Sequence, residues 1–467
     1  MNKHPEVAIL AAGLGTRMKS SRAKVLHEAG GETLLNSVIR AALHVTTPEK
    51  IVAIVGYQAD TVKASVRTPG IRFAIQAEQK GTGHALLCAR PLLGNEGQLL
   101  ILNGDGPLLR PPTLQSLVAL QDSIQEGGCI VSTIAPDPAG YGRIIREQSG
   151  RVAAIVEQKS ATAEQLEIRE INTGVYSFDS GLFWKHISEL QADSNSGEYY
   201  LTDMVAILTQ HGHAITPFLV EDATELLGIN NRVELAAADR ILRTRKNQHL
   251  MLAGVTIEDP DSVLIDADVC VGADTIIGAN VQLRGSTRIG VNCRIGAGSI
   301  LRDCDLADNV EIRPYVVAED TKFGAACHIG PFARLRAHAS VGSDVHIGNF
   351  VELKNTSMAT GAKANHLAYL GDSSIGSQTN IGAGTITCNY DGANKFKTQI
   401  GEGVFVGSNS TLVAPLSVGP GSYIGAGSVI TEDVDTEALA LGRARQVNKP
   451  GWARKRREQL TKIVPVA

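Results

Sequence analysis

The sequence is short of aromatics, of long apolar runs and of positive charge. Phe, Trp and Tyr make up 4% of 467 residues, against 48 glycines. That balance suits a chain of many tight turns. The net charge of −4 argues against a nucleic-acid binder, which would be clearly basic. No apolar run reaches the roughly 18 residues of a membrane helix. A charged start followed by an apolar stretch is also missing, so no signal peptide is expected. Cysteine is sparse and unpatterned: Cys88, Cys129, Cys270, Cys293, Cys304, Cys327 and Cys388 are odd in number and form no C-x-x-C. Reduced thiols in a cytoplasmic protein are the simple reading. A soluble globular composition remains, 43% hydrophobic and 20% charged, in a chain too long for one ordinary core.

Two halves have different periods. Up to about residue 230, short apolar runs such as VAILAA, KIVAIVG and QLLILNGD suit strands buried on both faces. Helical patterns, SVIRAALHV and LQSLVALQDSI, lie between them. This alternation predicts a Rossmann-like α/β domain with a mostly parallel sheet and a site at the carboxyl ends of its strands. NRVELAAADRILRTRKNQHL lacks Gly and Pro and reads as a connecting helix. From about residue 263 aliphatics recur every six residues: Val271, Ile277, Leu283, Ile289, Ile295, Leu301; then Val317, Phe323, Ile329, Leu335, Val341, Ile347, Leu353; then Ile400, Val406, Leu412, Val418, Ile424, Ile430. A six-residue repeat marks a parallel β-helix, here of the left-handed hexapeptide type with roughly nine coils spaced about 4.8 Å apart. The expected division is 1–232 for the α/β domain, 233–253 for the linker helix and 254–467 for the β-helix with a basic tail. The repeat is broken at ATGAKANHLAYLGD and at GAGTITCNYDGANKFKTQ, and such departures are where function is expected.

The stretch GLGTRMKS after the first strand nearly matches two phosphate loops. Lys19 and Ser20 stand where a P-loop needs them, but Met18 replaces its second glycine, and Met18 equally blocks the dinucleotide fingerprint. Backbone N–H groups of a Gly-rich turn, with Arg17, Lys19 and Lys24, suit phosphate oxygens. A plain strand–helix turn with surface lysines is the alternative.

Longer motifs settle the matter by resemblance. LAAGLGTRMKSSRAKVLH resembles the nucleotide-binding signature of sugar nucleotidyltransferases, and NGDGP resembles their metal-binding strand end. QAEQKGTGHAL, GYGRI, IVEQK, EINTG and GINNR follow in the order found in the bacterial bifunctional N-acetylglucosamine-1-phosphate uridyltransferase/glucosamine-1-phosphate acetyltransferase family. GPFARLR, GNFVELK, HLAYLGD and NIGAGTITCNYDGANKFKT continue the likeness over nearly the whole chain.

This resemblance implies two sites. In the first, UTP and a sugar phosphate meet, and positioning, Mg²⁺ and cations carry the chemistry. Asp105 and Asn230 would be the metal's oxygen ligands. Leu10, Ala11, Ala12, Gly13, Lys24, Gln76, Gly81, Thr82, Asn103 and Gly104 would surround the nucleotide. Gly142, Glu157 and Asn172 would hold the sugar, and Arg17 and Lys24 would neutralise developing charge. Read alone, Asp105 is an ordinary turn aspartate and Asn230 a helix cap. Ala23 stands where the family usually has Pro, and Leu14 where some relatives have Lys. In the second site, acetyl-CoA meets glucosamine-1-phosphate, and the amine needs a base. His366 matches the family's base and sits where the repeat stops, close to Tyr369. Glu352 would orient it, and Asn389 would donate to the thioester oxygen. Arg336, Lys354, Tyr369, Asn380 and Lys395 would bind glucosamine-1-phosphate. Ala383, Asn389, Tyr390, Ser408, Ala426 and Arg443 would bind acetyl-CoA, with the basic tail around Trp452 either meeting CoA phosphates or disordered. The family packs as homotrimers that share each acetyl site. The predicted partners are therefore small molecules and two further copies of the chain, with neither nucleic acid nor membrane.

Two other readings compete. One is a single-activity pyrophosphorylase with a structural β-helix; the other is a non-catalytic binding subunit. A structural β-helix has no need of His366, Asn389, Arg336, Lys354 and Tyr369 together, and a dead first domain would have no reason to keep Asp105 and Lys24.

Overall fold

A computed structural model describes residues 4–124, 127–194 and 197–461. The chain divides into two compact units, Met1–Gln248 with Ile265–Ala267, and His249–Leu264 with Asp268–Ala467.

The first unit is built on a mixed sheet. Its strands are β1 (Glu6–Ala11), β2 (Ile51–Val55), β3 (Arg72–Ile75), β4 (Gln98–Asn103), β5 (Gly128–Ile134), β6 (Arg143–Arg146), β7 (Val152–Val156), β8 (Glu170–Asp179) and β9 (Ile215–Leu219). Their order is β9-β5-β8-β4-β1-β2-β3, with the β6–β7 hairpin joined to β8. β1 lies parallel to both β2 and β4, whereas β8 runs antiparallel to β4 and β5. The central strands bury both faces: Ile51 to Val55 and Leu99 to Leu102 are fully enclosed. Strands covered on both sides are why these segments read as unbroken apolar runs. The expected helices appear as α1 (Leu34–Ala42) and α2 (Pro111–Ile124). The predicted connecting helix is α3 (Arg232–Leu252). Ala238, with Leu235, Ile241 and Leu242, packs against Leu34, Leu108 and Ile229, so much of the linker helix is bound to the α/β core.

The second unit is a β-helix of short parallel strands. Among the described residues its three faces hold eleven, ten and nine strands. Each coil stacks on the next in register, for example Ile277 on Ile295 and Leu283 on Leu301. The aliphatics of the first and third runs point inward and are buried, Val271 at the first coils being only partly so. Hydroxyls and thiols at the corners close stray backbone carbonyls: Thr275 Oγ1 donates to Gly290 O at 3.0 Å and Cys327 Sγ to Gly342 O at 2.8 Å.

Two expectations need correction. Val317 is 41% exposed, and Ala318 takes the inward place. The repeat shortens by one residue between Ala318 and Phe323, so counting back six from Phe323 lands on the wrong side of the strand. ATGAKANHLAYLGD is also no interruption. Lys363–His366 and Tyr369–Gly371 pair with the coils on both sides, Ile347 on Ala364 and Ala364 on Ile381. Ala364 hides the repeat because its inward side chain is a single methyl. GAGTITCNYDGANKFKTQ does hold an insertion: strands Ile386–Cys388 and Thr398–Ile400 flank a loop pinned by a Tyr390–Lys395 bridge.

Candidate active sites

The opening loop leaves β1 through Gly13 and Gly15. Gly15 has φ 63°, and a Cβ there would meet Lys24 Cβ at 2.6 Å. Glycine therefore lets the Lys24 segment close against the loop. Met18, the residue that breaks both phosphate motifs, is buried: it anchors the short helix Thr16–Met18. Ala23, in place of the family's Pro, has φ −55° and donates its N–H to Gln58 Oε1 at 2.8 Å. A proline would lack that donor, so the departure brings its own compensation. Leu14 is half exposed.

Asp105 is positioned by backbone. Gly104 N donates to Leu10 O at 2.9 Å, locking the end of β4 to β1. Ile229 N donates to Asp105 O at 3.0 Å, which brings Asn230 alongside. Lys24 Nζ reaches both side chains, donating to the Asp105 carboxylate and to Asn230 Oδ1 at 3.0 Å. Arg17 donates to the same Asn230 oxygen at 2.9 Å. The capping reading of Asn230 is displaced: Asn231 Oδ1 accepts from Val233 N and Glu234 N and caps α3. An aspartate and an amide oxygen thus converge on one cation, and hard oxygen donors of this kind fit Mg²⁺.

Gly56 lets the neighbouring strand ends approach, since a Cβ there would lie 2.9 Å from Gln76 O and 3.0 Å from Ala12 O. Ala11 and Ala12 are buried and Gly13 is open to solvent. Gln76 is buried and donates to Gly81 O at 3.0 Å, while the Thr82 hydroxyl accepts from Leu201 N at 3.0 Å. Asn103 donates to Thr173 O at 3.1 Å. The three sugar candidates gather around the β6–β7 hairpin. Asn172 N donates to Gly142 O at 2.9 Å, and a Cβ on Gly142 would lie 3.6 Å from Glu157 Oε1. Burial pushes the Glu157 carboxyl above its usual range, against a hydrogen bond from Thr202 that lowers it.

On the β-helix, His366 stands at the end of its strand, one coil above Asn349. Its Nδ1 lies 2.8 Å from Asn349 Oδ1. A carboxamide oxygen only accepts, so Nδ1 carries the proton and Nε2 keeps its lone pair. Gly348 makes the approach possible, because a Cβ there would lie 1.8 Å from Asn365 O. Glu352, the expected partner of His366, pairs instead with Arg336 at 3.2 Å. Asn349 is the orienting residue that sequence reasoning missed; its signal was the coil period, 17 residues before His366.

Asp372 is a second missed residue. It accepts from Lys354 at 2.9 Å, from Asn355 at 2.7 Å and from Asn389. Burial pushes its carboxyl up, but these three donors outweigh burial and hold it below the usual range. Lys354 is raised in turn, chiefly by its bond to Asp372. Tyr369 sits beside Glu352 in the next coil, its ring folded over Gly371, where a Cβ would be 2.5 Å from the phenolic oxygen. Asn380 lies in register with Lys363 and Phe405, and Lys395 is exposed in the insertion. Tyr390 is exposed, its hydroxyl turned back onto Gly392 O. Ala383, Ser408 and Ala426 climb one corner: Asn409 N donates to Ala383 O and Gly427 N to Ser408 O. Arg443 follows, its Cδ 3.8 Å from where a Gly427 Cβ would stand. The basic tail forms a helix, Trp452–Thr461, rather than irregular chain, and none of that helix is buried.

Fold and sites define a nucleotidyltransferase joined to a hexapeptide-repeat acyltransferase. Residues 7–165 match the MobA-like NTP transferase domain, 268–302 the hexapeptide repeat of succinyl-transferase, and 397–432 the bacterial transferase hexapeptide (six repeats). The chain is 54% identical over 453 residues to the Bifunctional protein GlmU of Solibacter usitatus, covering 97% of each chain. It is 48% identical over 464 residues to the Bifunctional protein GlmU of Koribacter versatilis, covering 99% of each. The chain belongs to the GlmU family of bifunctional enzymes. It is a glucosamine-1-phosphate N-acetyltransferase and a UDP-N-acetylglucosamine diphosphorylase.

Proposed function

We propose that the Asp105 and His366 clusters are the two reaction centres, working in sequence. Glucosamine-1-phosphate is acetylated at the second, and N-acetylglucosamine-1-phosphate is uridylylated at the first. The observation that carries this reading is the meeting of Asp105, Asn230, Lys24 and Arg17, four residues from three distant segments, around one cation position.

At the first centre, Asp105 and Asn230 would hold Mg²⁺, which would supply charge neutralisation at the phosphates. Lys24, Arg17 and the N–H groups after Gly13 face the triphosphate oxygens. Leu10, Ala11, Ala12, Gln76, Gly81, Thr82, Asn103 and Gly104 shape the nucleotide site. Gly142, Glu157 and Asn172 orient the sugar, so that its phosphate oxygen attacks the α-phosphorus and pyrophosphate leaves.

At the second centre, His366 Nε2 takes a proton from the amine of glucosamine-1-phosphate as its nitrogen attacks the thioester carbon. Asn389 donates to the oxygen that becomes anionic. The carbon–sulfur bond breaks, and the CoA sulfur leaves with the proton. Arg336, Lys354 and Lys395 neutralise the sugar phosphate, and Tyr369 and Asn380 add neutral hydrogen bonds. The corner of Ala383, Ser408, Ala426 and Arg443, with Tyr390, receives the pantetheine arm and phosphates.

The assembly is a homotrimer in this reading. Tyr315, Phe332 and Phe350 stack coil upon coil, at 5.3 and 5.5 Å, with Leu367, the residue after His366, on the next coil, all about half exposed. An apolar ladder of this kind favours cover by another copy. A cytoplasmic location is supported by the cysteines, which are odd in number, scattered and without a C-x-x-C spacing. Asp105→Ala should abolish UDP-sugar formation and leave CoA release intact, and His366→Ala should do the reverse. A folded His366→Ala protein lacking both activities would refute two independent centres.

A further inference from the structure

Away from both centres the α/β unit carries a cluster of imidazoles. The helix Ser180–His186 continues as the turn Ile187–Glu189 and ends beside the close of the helix Asp203–Gln210. His186 Nδ1 lies 2.7 Å from Glu189 Oε1, and His211 Nε2 lies 2.8 Å from Glu189 Oε2. The ligand atoms of these three residues all fall within 4.8 Å of one another. The His186 ring centre is 4.0 Å from that of His211 and 5.5 Å from that of His213. His186 is buried, and its Nε2 has no hydrogen-bond partner.

A plainer reading exists, in which the carboxylate accepts from two neutral imidazoles. That explains the two short contacts. It does not explain a third imidazole packed beside His186. The donor set also has a chemical preference. Imidazole nitrogens with one carboxylate suit Zn²⁺ and its neighbours, whereas Mg²⁺ and Ca²⁺ favour sites made of oxygens.

We propose that His186, Glu189 and His211 bind one divalent transition metal of the Zn²⁺ class, with water completing the coordination. The metal displaces the protons that now sit between the ring nitrogens and the carboxylate. It is structural, tying the Ile187–Glu189 turn to the end of the Asp203–Gln210 helix. The residue before that helix, Thr202, contacts Glu157 through its hydroxyl at 3.3 Å, so the tie braces the helix behind the sugar site.

The test uses the full chain, stripped with a chelator and dialysed. Zn²⁺ is titrated against a chromophoric competitor in millimolar Mg²⁺, which occupies the Asp105 position. Wild type and Asp105→Ala should each take up one tight equivalent per chain that His211→Ala and Glu189→Gln lack. Co²⁺ in place of Zn²⁺ should give the visible absorption of a four-coordinate nitrogen–oxygen site, absent in His211→Ala. The side chains of His211 and Glu189 are 44% and 45% exposed, and unchanged melting of the metal-free variants would confirm that they fold. Equal uptake by wild type and His211→Ala, loss of the equivalent in Asp105→Ala, or no tight uptake by wild type would each overturn the assignment.

Discussion

Replacing Asn349 separates the orienting bond to His366 from the base itself. Asn349→Ala removes the acceptor 2.8 Å from His366 Nδ1. The imidazole then exchanges tautomers and rotamers freely, and only part of the population presents the Nε2 lone pair. One hydrogen bond of this kind is worth about 0.5–1.5 kcal/mol, which corresponds to a loss of roughly two- to tenfold in acetyl-transfer kcat. His366→Ala, which removes the base, should lose about 10²–10⁴-fold. Asn349→Asp adds a second signature. A carboxylate beside the ring favours the imidazolium. The base is then free only at higher pH, and the acidic limb of the CoA-release profile should move to higher pH, with the rate on its plateau largely kept. Initial rates of CoA release with glucosamine-1-phosphate, from pH 5.5 to about 9, measure both effects. An Asn349→Ala enzyme with an unchanged rate, beside a Glu352→Gln enzyme with a displaced acidic limb, would show that Glu352 orients the base and that the argument from Nδ1 is wrong.

Three further substitutions test other parts of the structure. Asp372→Asn leaves Lys354 without its counter-charge and turns one of the two acceptor oxygens into a donor facing Asn355 or Asn389; removing one partner of a buried pair costs about 3–5 kcal/mol, taken at the low end because Lys354 is 20% exposed. Because the Asp372 carboxyl lies below its usual range, its contribution is complete above about pH 4 and fades as pH falls through the folded pKa. The melting difference between wild type and Asp372→Asn should therefore shrink in acid, while acetyl transfer falls at neutral pH. Glu157→Gln works in the opposite sense: burial raises the carboxyl, so wild type loses stability as pH rises from the unfolded pKa through the folded one. Melting of Glu157→Gln should gain on wild type across that window, while KM for N-acetylglucosamine-1-phosphate rises. Gly371→Ala places a methyl 2.5 Å from the Tyr369 hydroxyl; the ring swings away, and KM for glucosamine-1-phosphate should rise with little change in melting temperature.

Much of the molecule was legible because its physics is periodic or local. The apolar runs of β1, β2 and β4 are buried on both faces and could be read without ambiguity. The hexads were visible because the interior of a β-helix admits one aliphatic per face per coil. The same rule explains the misses. Where the inward residue is Ala364 or Ala318, the core still closes but the letters no longer stand out, so a continuous coil reads as a break and Val317 reads as inward. The orienting contacts were hidden for a different reason. A β-helix pairs each residue with one a coil away, and Asn349–His366, Lys354–Asp372 and Asn389–Asp372 are separated by 17, 18 and 17 residues. No short motif spans such a distance. Placing every polar residue against its neighbour one coil away sets Asn349 beside His366 from the sequence alone. It also sets Glu352 beside Arg334 and Tyr369 rather than under the histidine. In a solenoid the coil period, more than proximity in sequence, is therefore the guide to which polar residues cooperate.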